Sequence, residues 1–416
     1  MDDRSDSWVE IPHASPFPLH NLPFGVARRH DGTVGAFVAI GDRALDLADA
    51  VGTGLLEDSP AAFGVLDPGG TLNGFAAAGR SAHRALRTRL TTLFTERRHE
   101  AQLTPCLVPL DELEMLLPVA IGDYVDFYSS LHHATNLGRL FRPGSEALLP
   151  NWRHLPVGYH GRSSTVVVDG TAVARPHGLR LVDGEPGYGP TDALDIELEV
   201  GVVIGALSRR GEPVSTADAE QHMFGLCLVN DWSARDIQAF EYQPLGPFLA
   251  KSFATSMSPW IVTLDALEPF RVDPPVQDPP VADHLRTTSA TGFDLHLEVE
   301  LGGEVISRTC FADMYWTPAQ QVAHMTSNGA DVRAGDLFAS GTVSGPTPGS
   351  EGSLIELTWR GERPLRLADG STRTFLLDGD TVTLRGWAGA DPSTRIGLGS
   401  VTGTIVTATD QESEGN

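Results

Sequence analysis

The sequence predicts a mainly β chain of the α+β class, on three observations. Short alternating apolar runs recur between Gly, Asp and Pro (25–27, 35–40 and 44–47 among them), which is how half-buried strands read. Asp-Gly pairs at 169–170, 369–370 and 378–379 mark tight turns between such runs. Only a few segments carry a helical period.

In order along the chain, residues 7–66 read as a small β unit. Residues 81–98 form an amphipathic helix, with Leu86, Leu90, Leu93 and Phe94 spaced among arginines. A short helical stretch at 111–117 ends at Pro118, which sets a boundary between an N-terminal part, 1–118, and a larger part, 119–409. Beyond it, 164–168 and 171–174 read as a hairpin about Asp169-Gly170, and the runs 293–301, 354–359 and 381–384 extend the sheets. Helices are expected at 216–224, 234–241 and 317–326. The segment 272–283 is a surface loop, and the acidic tail 410–416 is expected to be disordered.

Composition narrows the function. With 416 residues and 41% hydrophobic content the chain can bury a large core. A formal charge of -24 argues against nucleic acid and against an anionic membrane surface. Cys106, Cys227 and Cys310 are dispersed without a CxxC pair, so neither a disulfide framework nor a structural zinc finger is indicated. No apolar run approaches a membrane span and no secretory h-region follows Met1, so a soluble, cytoplasmic protein is expected. The stretch from Gly246 to Ser252 lacks the second Gly of a phosphate loop, and Gly397-Leu-Gly399 lacks the third Gly of a dinucleotide fold. Neither G-x-S-x-G nor H-E-x-x-H occurs.

Several polar constellations stand out. In Asp195-Ile-Glu197-Leu-Glu199, strand alternation sends the three carboxylates to one face, and the unbroken apolar run from Val200 to Ile204 follows. Two readings stand: a wet edge strand, or oxygen ligands for Mg2+ or Ca2+ from the two Glu residues. Asp231, Arg235, Gln238 and Tyr242 fall on one stripe if helical spacing holds, either a solvated face or a ligand face aimed into a cleft. Lys251, in a Pro- and Gly-flanked apolar stretch, is a snorkelling residue or a buried anion partner. The segment from Asp123 to Asn136 adds Asp126, Tyr128 and the pair His132-His133, which read as helix-surface residues or as a general base. Arg142 and Tyr159 lie in a loop rich in Gly and Pro.

The stretches DYVDFYSSLHHATNLGRLFR, LPNWRHLPVGYHGRSSTVVVDGT, LDIELEVG, NDWSARDIQAFEYQPLGPFLAKSFATSMSPW, LFASGT and FLLDGD resemble the fumarylacetoacetase (fumarylacetoacetate hydrolase) family, over nearly the whole chain. The resemblance implies an N-terminal SH3-like β-barrel, a C-terminal mixed β-roll and a homodimer. It implies metal-dependent hydrolysis of the carbon-carbon bond of 4-fumarylacetoacetate to fumarate and acetoacetate, the last step of tyrosine and phenylalanine catabolism. Matched by position, Asp126, Glu197, Glu199 and Asp231 fall on calcium ligands. Asp231, Lys251 (through its carbonyl) and Thr255 fall on a magnesium site. His133 matches the base and Glu356 the carboxylate that orients it. Arg235, Gln238 and Lys251 match the oxyanion-stabilising group, and Tyr128, Arg142, Tyr159, Gln238, Tyr242 and Thr342 match substrate contacts. Oxygen ligands accept Ca2+, Mg2+ and Mn2+ alike, so the ion stays open.

Two rivals share these residues. Acylpyruvate and other β-diketo acid hydrolases use the same metal scaffold, though relatives of that kind usually lack the long N-terminal part and the complete His133/Glu356 pair. A non-catalytic cation- or ligand-binding homologue would keep the carboxylates and fail to activate water.

Overall fold

The computed structural model describes residues 7–59, 65–67, 69–288 and 290–408; the tail 410–416 lies outside them. It is mainly β with a few helices, as the alternating runs predict, and its main sheet is curled into a half-barrel. Three sheets form layers. The N-terminal one has five strands in the order Leu107–Pro109, Arg43–Asp46, Val34–Ile40, Phe24–Arg28, Glu114–Leu116. A large sheet follows, in the order Gly158–His160, Tyr124–Phe127, Leu337–Ala339, Leu198–Ile204, Met223–Asp231, Thr255–Met257, Val166–Val168, with Val262–Thr263 also paired to Met223–Asp231. The third runs Glu304–Cys310, Leu295–Leu301, Thr381–Ala388, Ile396–Val406, Val173–Ala174.

The apolar run from Val200 to Ile204 is continuous because its strand is central. It pairs with Met223–Asp231 on one side and Leu337–Ala339 on the other, and all seven residues of Leu198–Ile204 are buried. Sheets covered on both faces need no polar alternation. Along Met223–Asp231 the side chains divide between two cores: Leu226 and Leu228 pack toward the third sheet with Leu297 and Val401, while Cys227 and Val229 pack toward the N-terminal part with Phe24 and Leu90. A carboxylate-bearing wet edge is therefore excluded at this position.

Several expected elements differ. The stretch 111–117 is a short 3-10 turn, Leu110–Glu112, followed by the strand Glu114–Leu116, which pairs with Phe24–Arg28; tertiary pairing overrides a weak helical period. The runs about Asp169-Gly170 do not pair with each other. Val166–Val168 lies parallel to Thr255–Met257 and Val173–Ala174 parallel to Ile396–Val406, so the turn carries the chain between sheets. Residues 354–359 are not a strand; Leu354–Leu357 is a single helical turn. In the segment 216–224, Ala219–His222 is 3-10 and Met223 already opens the central strand. The helices at 81–98, 234–241 and 317–326 are present as Arg80–Thr95, Arg235–Glu241 and Pro318–Thr326, the last with a Thr317/Gln320 capping box. Among the described residues no helix is long and apolar enough to cross a membrane.

Candidate active site

Five strands of the large sheet converge their polar residues at one end. Asp126 lies opposite both Ala339 and Tyr159, Glu199 opposite Val229, and Asp231 opposite Thr255. Asp126, Glu197, Glu199 and Asp231 are all buried, and each offers an oxygen within 4.8 Å of the others. Crowding like charges in a dry site has the expected consequence. Burial, then the charge of Asp231, pushes the Asp126 carboxyl well above its ordinary range. Burial, then Asp126, does the same to Glu199, and burial raises Asp231. Glu197 goes the other way: burial opposes its charge, but Lys251 and Arg235 overcome that and hold it low. Asp126 Oδ1 and Glu199 Oε1 have no hydrogen-bond partner. Buried hard oxygens with spare lone pairs suit a divalent cation of the Ca2+ or Mg2+ type.

Lys251 is a buried anion partner rather than a snorkelling side chain. Its Nζ sits 2.6 Å from Glu197 Oε2 and 2.7 Å from Asp231 Oδ2. The contact is through the ammonium, whereas the resemblance assigns this residue a carbonyl contact to a cation. Thr255 Oγ1 donates to Asp231 Oδ1 at 3.2 Å, Tyr159 Oη donates to Asp231 Oδ2 at 3.3 Å, and the Gly341 amide donates to Glu199 Oε2 at 2.9 Å.

His133 is set by the start of the helix Leu131–Phe141, where the Ser130 side chain caps the His133 amide at 3.2 Å. Its Nδ1 lies 2.6 Å from Glu356 Oε2. Glu356 also accepts from Asn136 Nδ2 at 3.0 Å, Ser344 Oγ at 2.9 Å and Ser353 Oγ at 2.7 Å. Burial disfavours its charge, but His133 and these donors overcome that and keep the carboxyl below its usual range. With Nδ1 so engaged, Nε2 is left facing Glu197 Oε1, 3.9 Å away. The Tyr128 ring stands edge-on to the imidazole, centroids 5.3 Å apart. His132 instead lines a separate groove with Arg139 and Arg153.

Asp231 and Arg235 do not share a helix stripe. Asp231 ends its strand, Ser233–Ala234 pairs with Leu194–Asp195, and the helix begins only at Arg235. Arg235 still points into the same place: Nη1 is 2.7 Å from Glu197 Oε1 and 3.0 Å from Gln238 Oε1, and Nε is 2.7 Å from Asp195 Oδ2. Asp195 was not among the residues singled out for a site role by sequence. It is fully buried, and it also accepts the Leu354 amide at 2.7 Å and the Ile355 amide at 3.0 Å, at the start of the turn that carries Glu356.

These groups open on a cavity of about 380 Å³. Asp126, Tyr128, His133, Arg142, Tyr159, Glu197, Arg235, Gln238, Tyr242 and Lys251 line it, with an apolar wall that includes Leu137, Phe141, Leu148 and Trp152. Glu199, Asp231 and Thr255 lie beneath its floor, and Glu356 behind His133. Thr342 is buried outside the lining, with its hydroxyl unpartnered. A cavity that joins a carboxylate-held imidazole, a carboxylate cluster and two buried cations is equipped for water activation next to a developing negative charge.

Residues 124–406 match the family profile described as Fumarylacetoacetate (FAA) hydrolase C-terminal, and residues 20–118 match Fumarylacetoacetase N-terminal. The chain belongs to the fumarylacetoacetase family. It is 44% identical over 419 residues to the fumarylacetoacetase of Arabidopsis thaliana, covering 96% of this chain and 98% of that one. To the fumarylacetoacetase of Homo sapiens it is 45% identical over 419 residues, covering 97% and 99%. A fumarylacetoacetate hydrolase structure from psychrophilic Exiguobacterium antarcticum shares the fold at a TM-score of 0.53 and 17% identity, over 93% of this chain and all of that one.

Proposed function

We propose that this fumarylacetoacetase-family hydrolase cleaves the carbon-carbon bond of 4-fumarylacetoacetate with water, giving fumarate and acetoacetate. The observation that carries the reading is the His133/Glu356 pair, open to the same cavity as the buried carboxylates. It stands in a chain that aligns end to end with fumarylacetoacetases.

His133 acts as the base. Donating Nδ1–H to Glu356 fixes the tautomer, and Nε2 is then free to take a proton from a water in the cavity. Arg235, Gln238 and Lys251 form the donor edge for the oxyanion that follows; Glu197 anchors both cations beside it. Arg142 and the phenols of Tyr128, Tyr159 and Tyr242 bind and orient the anionic substrate, whereas Thr342, outside the lining, takes no direct part. Asp126, Glu197, Glu199 and Asp231 would hold a divalent cation of the calcium type, and Asp231, Thr255 and the Lys251 carbonyl one of the magnesium type. Such an ion, Ca2+, Mg2+ or Mn2+, would supply Lewis-acid contact to the diketone oxygens. The unpartnered oxygens of Asp126 and Glu199 support this assignment.

The same reading takes the N-terminal five-stranded sheet as an SH3-like barrel and the C-terminal sheets as a β-roll, divided at 118/119. The division is supported by the family matches ending at 118 and resuming at 124. A cytoplasmic homodimer completes it.

The deciding experiment follows the ultraviolet absorbance of 4-fumarylacetoacetate with purified protein, with and without EDTA, against acetylpyruvate. EDTA-sensitive loss that favours fumarylacetoacetate, with fumarate and acetoacetate as products, is expected. A preference for acetylpyruvate moves the chain to a sister hydrolase, and no turnover of either leaves a binding protein.

A further inference from the structure

We propose that Asp294, His296 and Cys310 form a second metal site, selective for a borderline-soft divalent ion such as Zn2+, on the outer face of the third sheet. The strand Leu295–Leu301 alternates buried and half-buried residues, so His296 projects outward, and Asp294, two residues earlier, reaches the same side. The neighbouring strand Glu304–Cys310 runs antiparallel with Cys310 directly opposite His296. Register thus places a thiol, an imidazole and a carboxylate side by side.

The separations are those of a ligand set. His296 Nε2 lies 3.2 Å from Asp294 Oδ1, Cys310 Sγ lies 3.8 Å from the same oxygen, and one ligand atom from each residue falls within 4.8 Å of the others. Tetrahedral zinc with N and O ligands near 2.0 Å and S near 2.3 Å holds its donors roughly 3.3–3.6 Å apart. Adjustments of a few tenths of an ångström at the Asp294 contacts, with a rotation of the Cys310 side chain, would close the set.

A second observation points to a ligand. His296 Nε2 is shielded from solvent yet has no well-aligned hydrogen-bond partner, although Asp294 is near. The ring is also held in place. On its other side Trp387, opposite His296 in the strand Thr381–Ala388, stacks on it with centroids 6.3 Å apart and planes 16° apart, and the Arg395 guanidinium lies 4.9 Å from the Trp387 ring centroid. An imidazole oriented by stacking, with a donor nitrogen turned toward a thiol and a carboxylate, loses little freedom on binding a metal.

The donor set separates this site from the cavity. Asp126, Glu197, Glu199 and Asp231 offer oxygen only and suit hard cations, whereas one S, one N and one O favour zinc over calcium and magnesium. Binding exchanges the Cys310 thiol proton, released to solvent, for a metal-thiolate bond. Three protein ligands leave a fourth position for water, and the half-buried setting leaves it accessible.

The test is a Co2+ titration of the full-length reduced protein in saturating Mg2+, which fills the oxygen site. A thiolate-to-cobalt charge-transfer band with tetrahedral d-d bands is expected, saturating at one equivalent and displaced by Zn2+ but not by added Mg2+ or Ca2+. Cys310→Ser should abolish the charge-transfer band, and His296→Asn should weaken binding by roughly tenfold or more. Both variants should turn over 4-fumarylacetoacetate at the parental rate. No thiolate band in the parent overturns the site. So does a band that persists in Cys310→Ser, since Cys106 or Cys227 would then be the source.

Discussion

The Asp195 carboxylate joins Arg235 to the turn that bears Glu356. Its Oδ2 is 2.7 Å from Arg235 Nε, while both its oxygens receive amides from Leu354 and Ile355. Burial opposes the Arg235 charge, but Glu197 and Asp195 more than offset it and hold the guanidinium firmly protonated. Asp195→Asn keeps the size and removes the charge, leaving a buried cation short of one partner. A loss of about 3 kcal/mol in urea unfolding is expected, the lower end for a broken buried pair. A fall in kcat larger than any rise in KM should accompany it, because both Arg235 and Glu356 lose their reference point. Full kcat in a folded Asp195→Asn protein would sink this role.

Glu356 holds His133 through Nδ1, on the side of the imidazole away from Glu197. Glu356→Gln and His133→Ala should each lower kcat by on the order of 10²–10⁴, the range of a general base, and leave cation affinity close to parental. Calorimetric titration beside steady-state kinetics reads both quantities. A His132→Ala protein should behave as the parent in this assay, because that side chain lies in the groove behind the helix.

The same carboxylate gives a pH signature. Its folded-state pKa is lowered despite burial, by His133, Asn136 and Ser353. A lowered value means the contribution to stability is present above the unfolded range, about pH 4.3 for Glu, and is lost as pH falls through the folded value. The stability gap between parent and Glu356→Gln, measured by urea unfolding, should therefore be widest near neutral pH and shrink below about pH 4. A gap that stays constant into acid would contradict it.

Much of this was legible in the sequence because the chemistry is concentrated in short runs. Glu197, Glu199, Asp231 and Lys251 come from two stretches that bracket one strand pair, and the apolar run after Glu199 already demanded burial. What escaped was set at long range. The single turn Leu354–Leu357 reads as a strand by composition, yet its first amides are capped by Asp195, about 160 residues earlier in the chain. Asp195 itself was visible as the first of three alternating carboxylates. Its role was not, since strand pairing breaks off between Leu194–Asp195 and Leu198–Ile204, and its partners, Arg235 and the amides of Leu354 and Ile355, come from distant parts of the chain. The pairing at 164–174 failed for a like reason: a good turn signal cannot say that its flanking strands belong to different sheets.

Glu199 has its carboxyl raised by burial and by Asp126, and one of its oxygens is unpartnered. Glu199→Gln preserves the acceptor for the Gly341 amide and cannot take on the charge that burial and Asp126 oppose. In EDTA the variant should therefore melt at or above the parent. With Ca2+ or Mg2+ in hundredfold excess over the parental Kd, the parent gains about 2.7 kcal/mol and the order reverses. Paired thermal melts decide this, and a cation response in Glu199→Gln equal to the parent's would remove Glu199 from the ligand set.

Gly138 lies on the His133 helix where the following loop turns back against it. A Cβ there would overlap the Ala147 carbonyl oxygen, a backbone atom that cannot swing aside. That carbonyl also accepts from Arg142 Nη2 at 2.8 Å, and Ala147, Leu148 and Leu149 line the cavity beside it. Gly138→Ala gains up to about 1 kcal/mol of helix propensity, yet the overlap forces the loop outward and takes Arg142 with it. His133 stands more than a turn earlier, anchored by Ser130 and Glu356, and stays in place. The expected result is a KM for 4-fumarylacetoacetate raised about tenfold, equivalent to about 1.4 kcal/mol of substrate binding, with kcat little changed and a lower melting temperature. A kcat that collapses at unchanged KM would mean that the helix, rather than the loop, gives way.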